Sequence, residues 1–145
     1  MPEIKKEGVG LVFTAGFDAG PFQAGAAIAI KEWLGDVKPK VVVGSSMGAV
    51  TGAAIAADVL GEYIGYWRKI KPSDLLTVHW YNFFRLPFSP RLASLDPLRK
   101  RLRQLKVGER LLKSSVRYAA VSFNLNYGKQ RTFTNASPFF DFSPL

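Results

Sequence analysis

The residues with the strongest chemical signal are Gly44-Ser45-Ser46-Met47-Gly48, which directly follow three valines. A β-branched run, then Gly-x-Ser-x-Gly, then small residues is typical of a sharp strand-to-helix turn with a serine at its tip. The tip serine has a strained backbone, so the residues two before and two after it must be small, and both are glycine here. We therefore predict that Ser46 is a nucleophile at a helix amino end, where free amides and the helix dipole favour negative charge.

Two other interpretations of this stretch stay open at the level of sequence. Ser45 is a second candidate nucleophile, although it lacks the symmetric flanking glycines. The turn also fits a purely structural role, in which the serine side chain only caps the following helix.

A serine nucleophile also needs a base for its proton and hydrogen-bond donors for the oxyanion of the tetrahedral intermediate. A glycine-containing loop over residues 15–20 follows a predicted strand and precedes a predicted helix, so it belongs at the same sheet edge as the turn. The amides of Gly16 and its neighbours, with the Met47 amide, are the candidate donors; a simple strand-to-helix turn is the alternative. The single histidine, His79, lies in an aromatic segment and is better interpreted as structural.

The pattern around these residues predicts an α/β domain. Strand, helix and strand follow in order before Ser46, which implies a parallel pair joined by a right-handed crossover. A small-residue helix follows Ser46, and a hairpin is predicted near the end of the chain. The predicted segments are strands over residues 8–14, 41–43, 116–123 and 129–134, and helices over residues 22–34, 47–60, 61–70 and from Asp96.

Composition restricts the class of protein. At 145 residues and 48% hydrophobic content the chain suits one domain, residues 1–145, with a real core. It has no cysteine and no run of about 18 apolar residues, and its first seven residues lack the apolar core of a secretory leader. We therefore expect a cytoplasmic protein, with contact to a membrane limited to its surface.

A net charge of +9 favours anionic partners. A further helix is predicted, with Asp96 as its N-cap and Pro97 in its first turn. Leu98, Leu102 and Leu105 lie on one face of this helix, and basic residues occupy much of the rest. This basic face fits either ordinary solvation or contact with a membrane or phosphate. No nucleic-acid recognition motif is visible, so nucleic acid is not an expected partner.

Two stretches, residues 11–25 and 41–54, resemble the start of patatin-like phospholipases. That family has a glycine-rich loop, a Tyr-Gln-x-Gly helix start and the serine turn. Here the loop is Ala15-Gly16-Phe17-Asp18-Ala19-Gly20, followed by Pro21-Phe22-Gln23-Ala24-Gly25. The similarity continues through Trp67-Arg68, the Lys71–Leu75 stretch, Leu95–Arg99 and the hairpin, so it covers most of the chain.

The resemblance implies a three-layer α/β/α fold with a mainly parallel central sheet. It also implies hydrolysis of acyl esters in phospholipids by a serine–aspartate dyad, without metal or organic cofactor. Ser46 corresponds to the nucleophile, and Gly16 with the amides of Phe17 and Asp18 corresponds to the oxyanion donors. The Asp18 carboxylate also places negative charge near that oxyanion, which opposes catalysis.

The family's aspartate lies in Asp-Gly-Gly or Asp-Gly-Ala beyond the hairpin, and no Asp-Gly occurs in this chain. Asp141 is the nearest candidate in order, but Phe142 follows it. We therefore expect a patatin-like domain that is incomplete at its C-terminus, whose open sheet edge favours association of two chains. The leading hypothesis is a lipid acyl hydrolase; the alternative is a catalytically impaired relative that binds lipid or a partner chain.

Overall fold

The structure is a computed structural model that describes residues 6, 8–16, 19–71, 77–78 and 93–135. Strands and helices alternate through most of these residues. The strands are β1 (Gly10–Phe13), β2 (Val41–Ser45), β3 (Thr77–Val78), β4 (Ala93–Ser94), β5 (Arg117–Asn124) and β6 (Lys129–Thr134). The helices are α1 (Gly20–Leu34), α2 (Met47–Ala56), α3 (Leu60–Trp67), α4 (Asp96–Gln104) and α5 (Val107–Leu112).

Four of the strands form one sheet in the order β1-β2-β5-β6. β2 pairs in parallel with β1 on one side and with β5 on the other, while β6 returns antiparallel to β5. β3 and β4 form a separate two-stranded antiparallel ladder. The predicted α/β class with a mainly parallel sheet is confirmed, and the hairpin makes the sheet mixed.

One face of this sheet carries the helices. Leu11 and Val42, which are paired in register, are 8% and 0% exposed, whereas the next residue along β1, Val12, is 75% exposed. In the sheet, β2 lies beside β1 and β5 lies on the far side of β2, so both crossover connections move in the same direction. Two right-handed crossovers that move in the same direction place their helices on the same face of the sheet. The described helices thus cover one face; a helical layer on the other face stays a prediction.

Small residues allow α2 to lie close on the sheet, where it contacts β1, β2 and β5. A Cβ added at Gly52 would lie 2.9 Å from Cγ1 of Val42, and Ala53, Ala54 and Ala56 of this helix are buried. α1 and α3 pack on α2 and on each other. α2 is therefore the central helix of the core and positions the residue that precedes it, Ser46.

Candidate functional site

Ser46 is the single residue between the end of β2 and the start of α2. Its φ of 53° and ψ of −125° lie where a residue with a Cβ is strained. Its side chain is exposed at the carboxyl end of the strand, whereas Ser45 lies within β2 and pairs with Val121. Of the two candidate serines, only Ser46 is presented at the tip of the turn.

The two flanking glycines are required by backbone contacts. A Cβ added at Gly44 would overlap the backbone carbonyl group of Gly48 and the Cα of Ala49. A Cβ added at Gly48 would overlap the carbonyl oxygens of Phe13 and Thr14. Because every obstructing atom belongs to the backbone, no rotation of a side chain makes room. The turn therefore needs glycine at both positions.

The Ser46 side chain does not cap α2. Ser46 occupies the N-cap position, but its side chain makes no capping hydrogen bond; its backbone carbonyl accepts from the Ala49 amide at 3.0 Å. A capping serine would accept from an amide in the first turn of the helix. The capping role that the structural interpretation gives to this side chain is therefore not observed, and Ser46 lies exposed at the amino end of a ten-residue helix.

The glycine loop meets the serine turn at both of its described ends. At its start, the carbonyls of Phe13 and Thr14 lie against Gly48, as described above. At its end, a Cβ added at Gly20 would lie 3.2 Å from Cγ of Met47. Gly16 has a φ of 156°, a value that favours glycine. The two ends of the loop, at Thr14 and Gly20, thus lie next to Gly48 and Met47 of the serine turn. Gly16 follows Thr14 by two residues, while Phe17, Asp18 and Asp141 lie outside the described residues.

A buried glutamine holds the start of this loop, and the sequence analysis gave it no role. The side-chain Nε2 of Gln23 donates to the carbonyl oxygen of Thr14 at 2.8 Å, and Gln23 is 6% exposed. The sequence marked Gln23 in two ways: it is a polar residue on a helix that is apolar on nearly all sides, and it matches the glutamine of the Tyr-Gln-x-Gly helix start. Its partner, a backbone carbonyl on another element, is not visible from the sequence.

Tyr118 holds the same turn from the β5 side. Its hydroxyl donates to the carbonyl oxygen of Ala49, in the first turn of α2, at 2.8 Å. Burial raises the pKa of Tyr118 to about 12, so the hydroxyl stays protonated and keeps this bond at neutral pH. Its backbone N–H donates to Oδ1 of Asn135 at 2.8 Å, and Nδ2 of Asn135 donates to the carbonyls of Leu111 and Val116.

A cavity of about 230 Å³ lies elsewhere, lined by Leu11, Leu34, Pro39 and Val116 among others. Pro39 and Val116 precede β2 and β5, so the cavity lies at the amino ends of the strands, whereas Ser46 follows the carboxyl end of β2. Within the described residues, no three His, Cys, Asp or Glu side chains are grouped as metal ligands. No helix in the described part of the chain is long and apolar enough to cross a membrane.

The fold and the turn together define an α/β domain that presents an exposed serine between a parallel strand and a helix. The family model described as patatin-like phospholipase matches residues 11–144, and the chain belongs to that family. No curated protein and no solved structure gives a significant match. The predicted family is confirmed. Membership in it supports, in general terms, the prediction of a lipid hydrolase.

Proposed function

We propose that the chain is a lipid acyl hydrolase whose nucleophile is Ser46. The observation that carries this proposal is the conformation of Ser46. It is strained, exposed, unused as a helix cap, and flanked by two glycines that backbone contacts require. Strain at a residue with no structural use points to a functional role. The family match over residues 11–144 supports phospholipids or related acyl esters as substrates.

In the proposed reaction, the Ser46 oxygen attacks the ester carbonyl carbon while its proton passes to a carboxylate base. The carbonyl oxygen becomes an oxyanion, which the amides of Gly16, Phe17, Asp18 and Met47 would stabilise. Collapse of this intermediate breaks the ester C–O bond and releases the alcohol, which takes up the proton. Water then attacks the acyl–Ser46 ester and gives a proton to the carboxylate base. The bond between the acyl carbon and the Ser46 oxygen breaks, that oxygen takes the proton back, and the fatty acid leaves.

The base of this dyad is proposed from the family resemblance. Asp141 is the candidate that follows the hairpin in chain order, and residue 141 falls within the matched range. An Asp141→Asn chain should lose activity if Asp141 accepts the Ser46 proton. Undiminished activity in Asp141→Asn would exclude it and direct the search to the other acidic residues, beginning with Asp18.

A pair of adjacent serines provides the matched test of the nucleophile. Ser46→Ala should abolish hydrolysis of a p-nitrophenyl ester, whereas Ser45→Ala, one residue away and inside β2, should retain most of it. Both proteins should unfold near the wild-type temperature, because neither change opens a cavity in the core. Undiminished hydrolysis by Ser46→Ala would overturn the proposal.

A second candidate function is lipid binding without turnover, and the basic surface of α4 favours it. Leu98 is 7% exposed and packs inward, while Arg99, Lys100 and Arg103 are exposed on the same helix. Such a surface suits peripheral contact with an anionic membrane. The protein should sediment with phosphatidylglycerol vesicles but not with phosphatidylcholine vesicles, and Lys100→Glu/Arg103→Glu should weaken that binding. Equal binding to both vesicle types would exclude a charge-driven contact.

A further inference from the structure

Three buried polar side chains on three different helices form a chain of hydrogen bonds that ends at the glycine loop. The Tyr63 hydroxyl of α3 lies 2.8 Å from Oγ1 of Thr51 on α2. Oγ1 of Thr51 lies 3.4 Å from Oε1 of Gln23 on α1, and Nε2 of Gln23 lies 2.8 Å from the Thr14 carbonyl oxygen. Tyr63, Thr51 and Gln23 are 3%, 0% and 6% exposed.

The chemistry of the groups sets the direction of every bond in this chain. The Thr14 carbonyl only accepts, so the Gln23 amide must direct its NH₂ group there and its Oε1 towards Thr51. Oε1 also only accepts, so the single Thr51 hydroxyl hydrogen goes to Gln23, and Tyr63 must donate to Thr51. Burial raises the pKa of Tyr63, which keeps its hydroxyl protonated as this role requires. Each hydroxyl hydrogen in the chain thus has one acceptor.

This chain connects the two parts of the candidate site. Thr14 is the residue at which the backbone leaves β1 and enters the glycine loop, and Thr51 lies on the helix that begins directly after Ser46. A buried amide that loses a partner costs about 1–3 kcal/mol, so Gln23 resists a shift of the Thr14 carbonyl relative to α2.

We propose that Gln23 is a positioning residue that sets the distance between the oxyanion loop and Ser46, and that Thr51 and Tyr63 hold its amide in the required orientation. The proposal rests on the proposed hydrolase function for its effect on catalysis. A misplacement of about 1 Å is enough to cost about 100-fold in rate. The loss should fall on kcat, because the loop acts on the transition state and leaves ground-state binding nearly unchanged.

Four variants test this role. Gln23→Met keeps the length of the side chain and removes the donor to Thr14. Thr51→Val keeps the shape and removes the hydroxyl, and Thr51→Ser restores the hydroxyl. Ser114→Ala is the stability control, since it removes a 2.6 Å bond from Ser114 Oγ to the carbonyl of Ala56, at the far end of α2. For each protein, kcat and KM are measured on a p-nitrophenyl ester, with hydrogen–deuterium exchange of the peptide covering residues 14–20.

We expect kcat of Gln23→Met to fall about 10- to 100-fold with KM within about twofold of wild type. Amide exchange in residues 14–20 should be faster in this variant. Thr51→Val should show a smaller loss that Thr51→Ser recovers, and Ser114→Ala should keep wild-type kcat and loop exchange.

Unchanged loop exchange in Gln23→Met would overturn the positioning role, whatever its activity. So would a Thr51→Ser protein as impaired as Thr51→Val, because the hydroxyl would then not matter. The exchange measurement needs no catalysis, so failure of the hydrolase proposal, shown by an active Ser46→Ala, is distinguished from failure of this one.

Discussion

A residue with a positive backbone φ lies next to each end of α2, and the two conformations have different consequences for the helix. At the carboxyl end, Asp58 has a φ of 55°, and its amide donates to the Ile55 carbonyl while the Val59 amide donates to the Ala54 carbonyl. These two bonds are the Schellman motif, so the conformation ends the helix and satisfies its last carbonyls. At the amino end, Ser46 has a φ of 53° and its side chain makes no capping bond.

The lesson from this comparison is that positive φ alone does not identify a functional residue. Asp is among the few residues that tolerate this conformation, and at Asp58 the helix gains hydrogen bonds from it. Ser46 gains no comparable hydrogen bond from its positive φ. The residues two before and two after it, Gly44 and Gly48, must be glycine for the turn to form. At the amino end of α2, the strained backbone of Ser46 is not offset by a side-chain hydrogen bond within the described residues.

The largest expected effect on stability comes from adding a methyl group at Gly48, two residues after Ser46. Gly48→Ala should destabilise the protein by about 3 kcal/mol or more, since its Cβ would overlap backbone carbonyls that cannot rotate away. Gly65→Ala in α3 is the control: a Cβ there meets nothing within 4 Å, and alanine favours helix by about 1 kcal/mol. Urea unfolding of both variants checks the prediction, and a Gly48→Ala protein as stable as wild type would contradict the close approach.

Tyr118, whose hydroxyl donates to the first turn of α2, should make the free energy of unfolding fall as the pH becomes alkaline. Its folded pKa of about 12 lies above the ordinary 10.0, so the folded chain keeps a proton that the unfolded chain releases. This stabilisation is complete below pH 10 and falls as pH rises towards 12, by about 1.4 kcal/mol per pH unit. Urea unfolding from pH 8 to 11 should show a shallower decline for Tyr118→Phe; parallel declines would be inconsistent with this pKa.

The serines near the two ends of α2 should respond to truncation with opposite signs. Ser114→Ala removes the bond to the Ala56 carbonyl and the acceptor of the Val116 amide, and should lower stability by about 1–2 kcal/mol. Ser46→Gly releases the strained φ and should raise stability by about 1 kcal/mol while abolishing ester hydrolysis. Thermal unfolding measures both changes. A Ser46→Gly protein less stable than wild type would show that the serine side chain has a structural role.

The smallest effect is expected at the ion pair near the carboxyl end of α2. Lys31 Nζ and Asp58 Oδ1 are 3.4 Å apart, but the two side chains are 60% and 67% exposed. Exposed pairs contribute about 0–1 kcal/mol, so Asp58→Asn should change the unfolding free energy by less than about 0.5 kcal/mol and retain the positive φ. A larger loss in urea unfolding would mean that the charge, rather than the Schellman motif, maintains this end.

Elements with strong local signals could be predicted from the sequence. The valine run before glycine gave β2, the small residues gave the start of α2, and the turn around Gly128 gave the hairpin of β5 and β6. The end of α2 was predicted near Leu60, but it lies at Ala56. No glycine or proline marks that break, and an aspartate in the left-handed conformation gives a much weaker signal.

The serine turn could be predicted because its chemistry is local, whereas the groups that hold it in place could not. Gln23 and Thr51 are 28 residues apart, and Tyr118 and Ala49 are 69 apart. Hydrogen bonds between distant residues leave no periodic pattern in the sequence. In α4, likewise, the leucine face that packs inward was predicted from the local pattern of residues. The predicted N-cap at Asp96 is wrong, since the N-cap is Leu95.

The most direct test of the central claim is reaction with a fluorophosphonate probe, followed by mass spectrometry of the intact chain and its peptides. The account predicts a single adduct on the Ser46 oxygen, absent from Ser46→Ala and retained in Ser45→Ala. Circular dichroism confirms that each labelled sample is folded. A folded wild-type protein that forms no adduct, or forms it on Ser45, would contradict the assignment of Ser46 as the nucleophile.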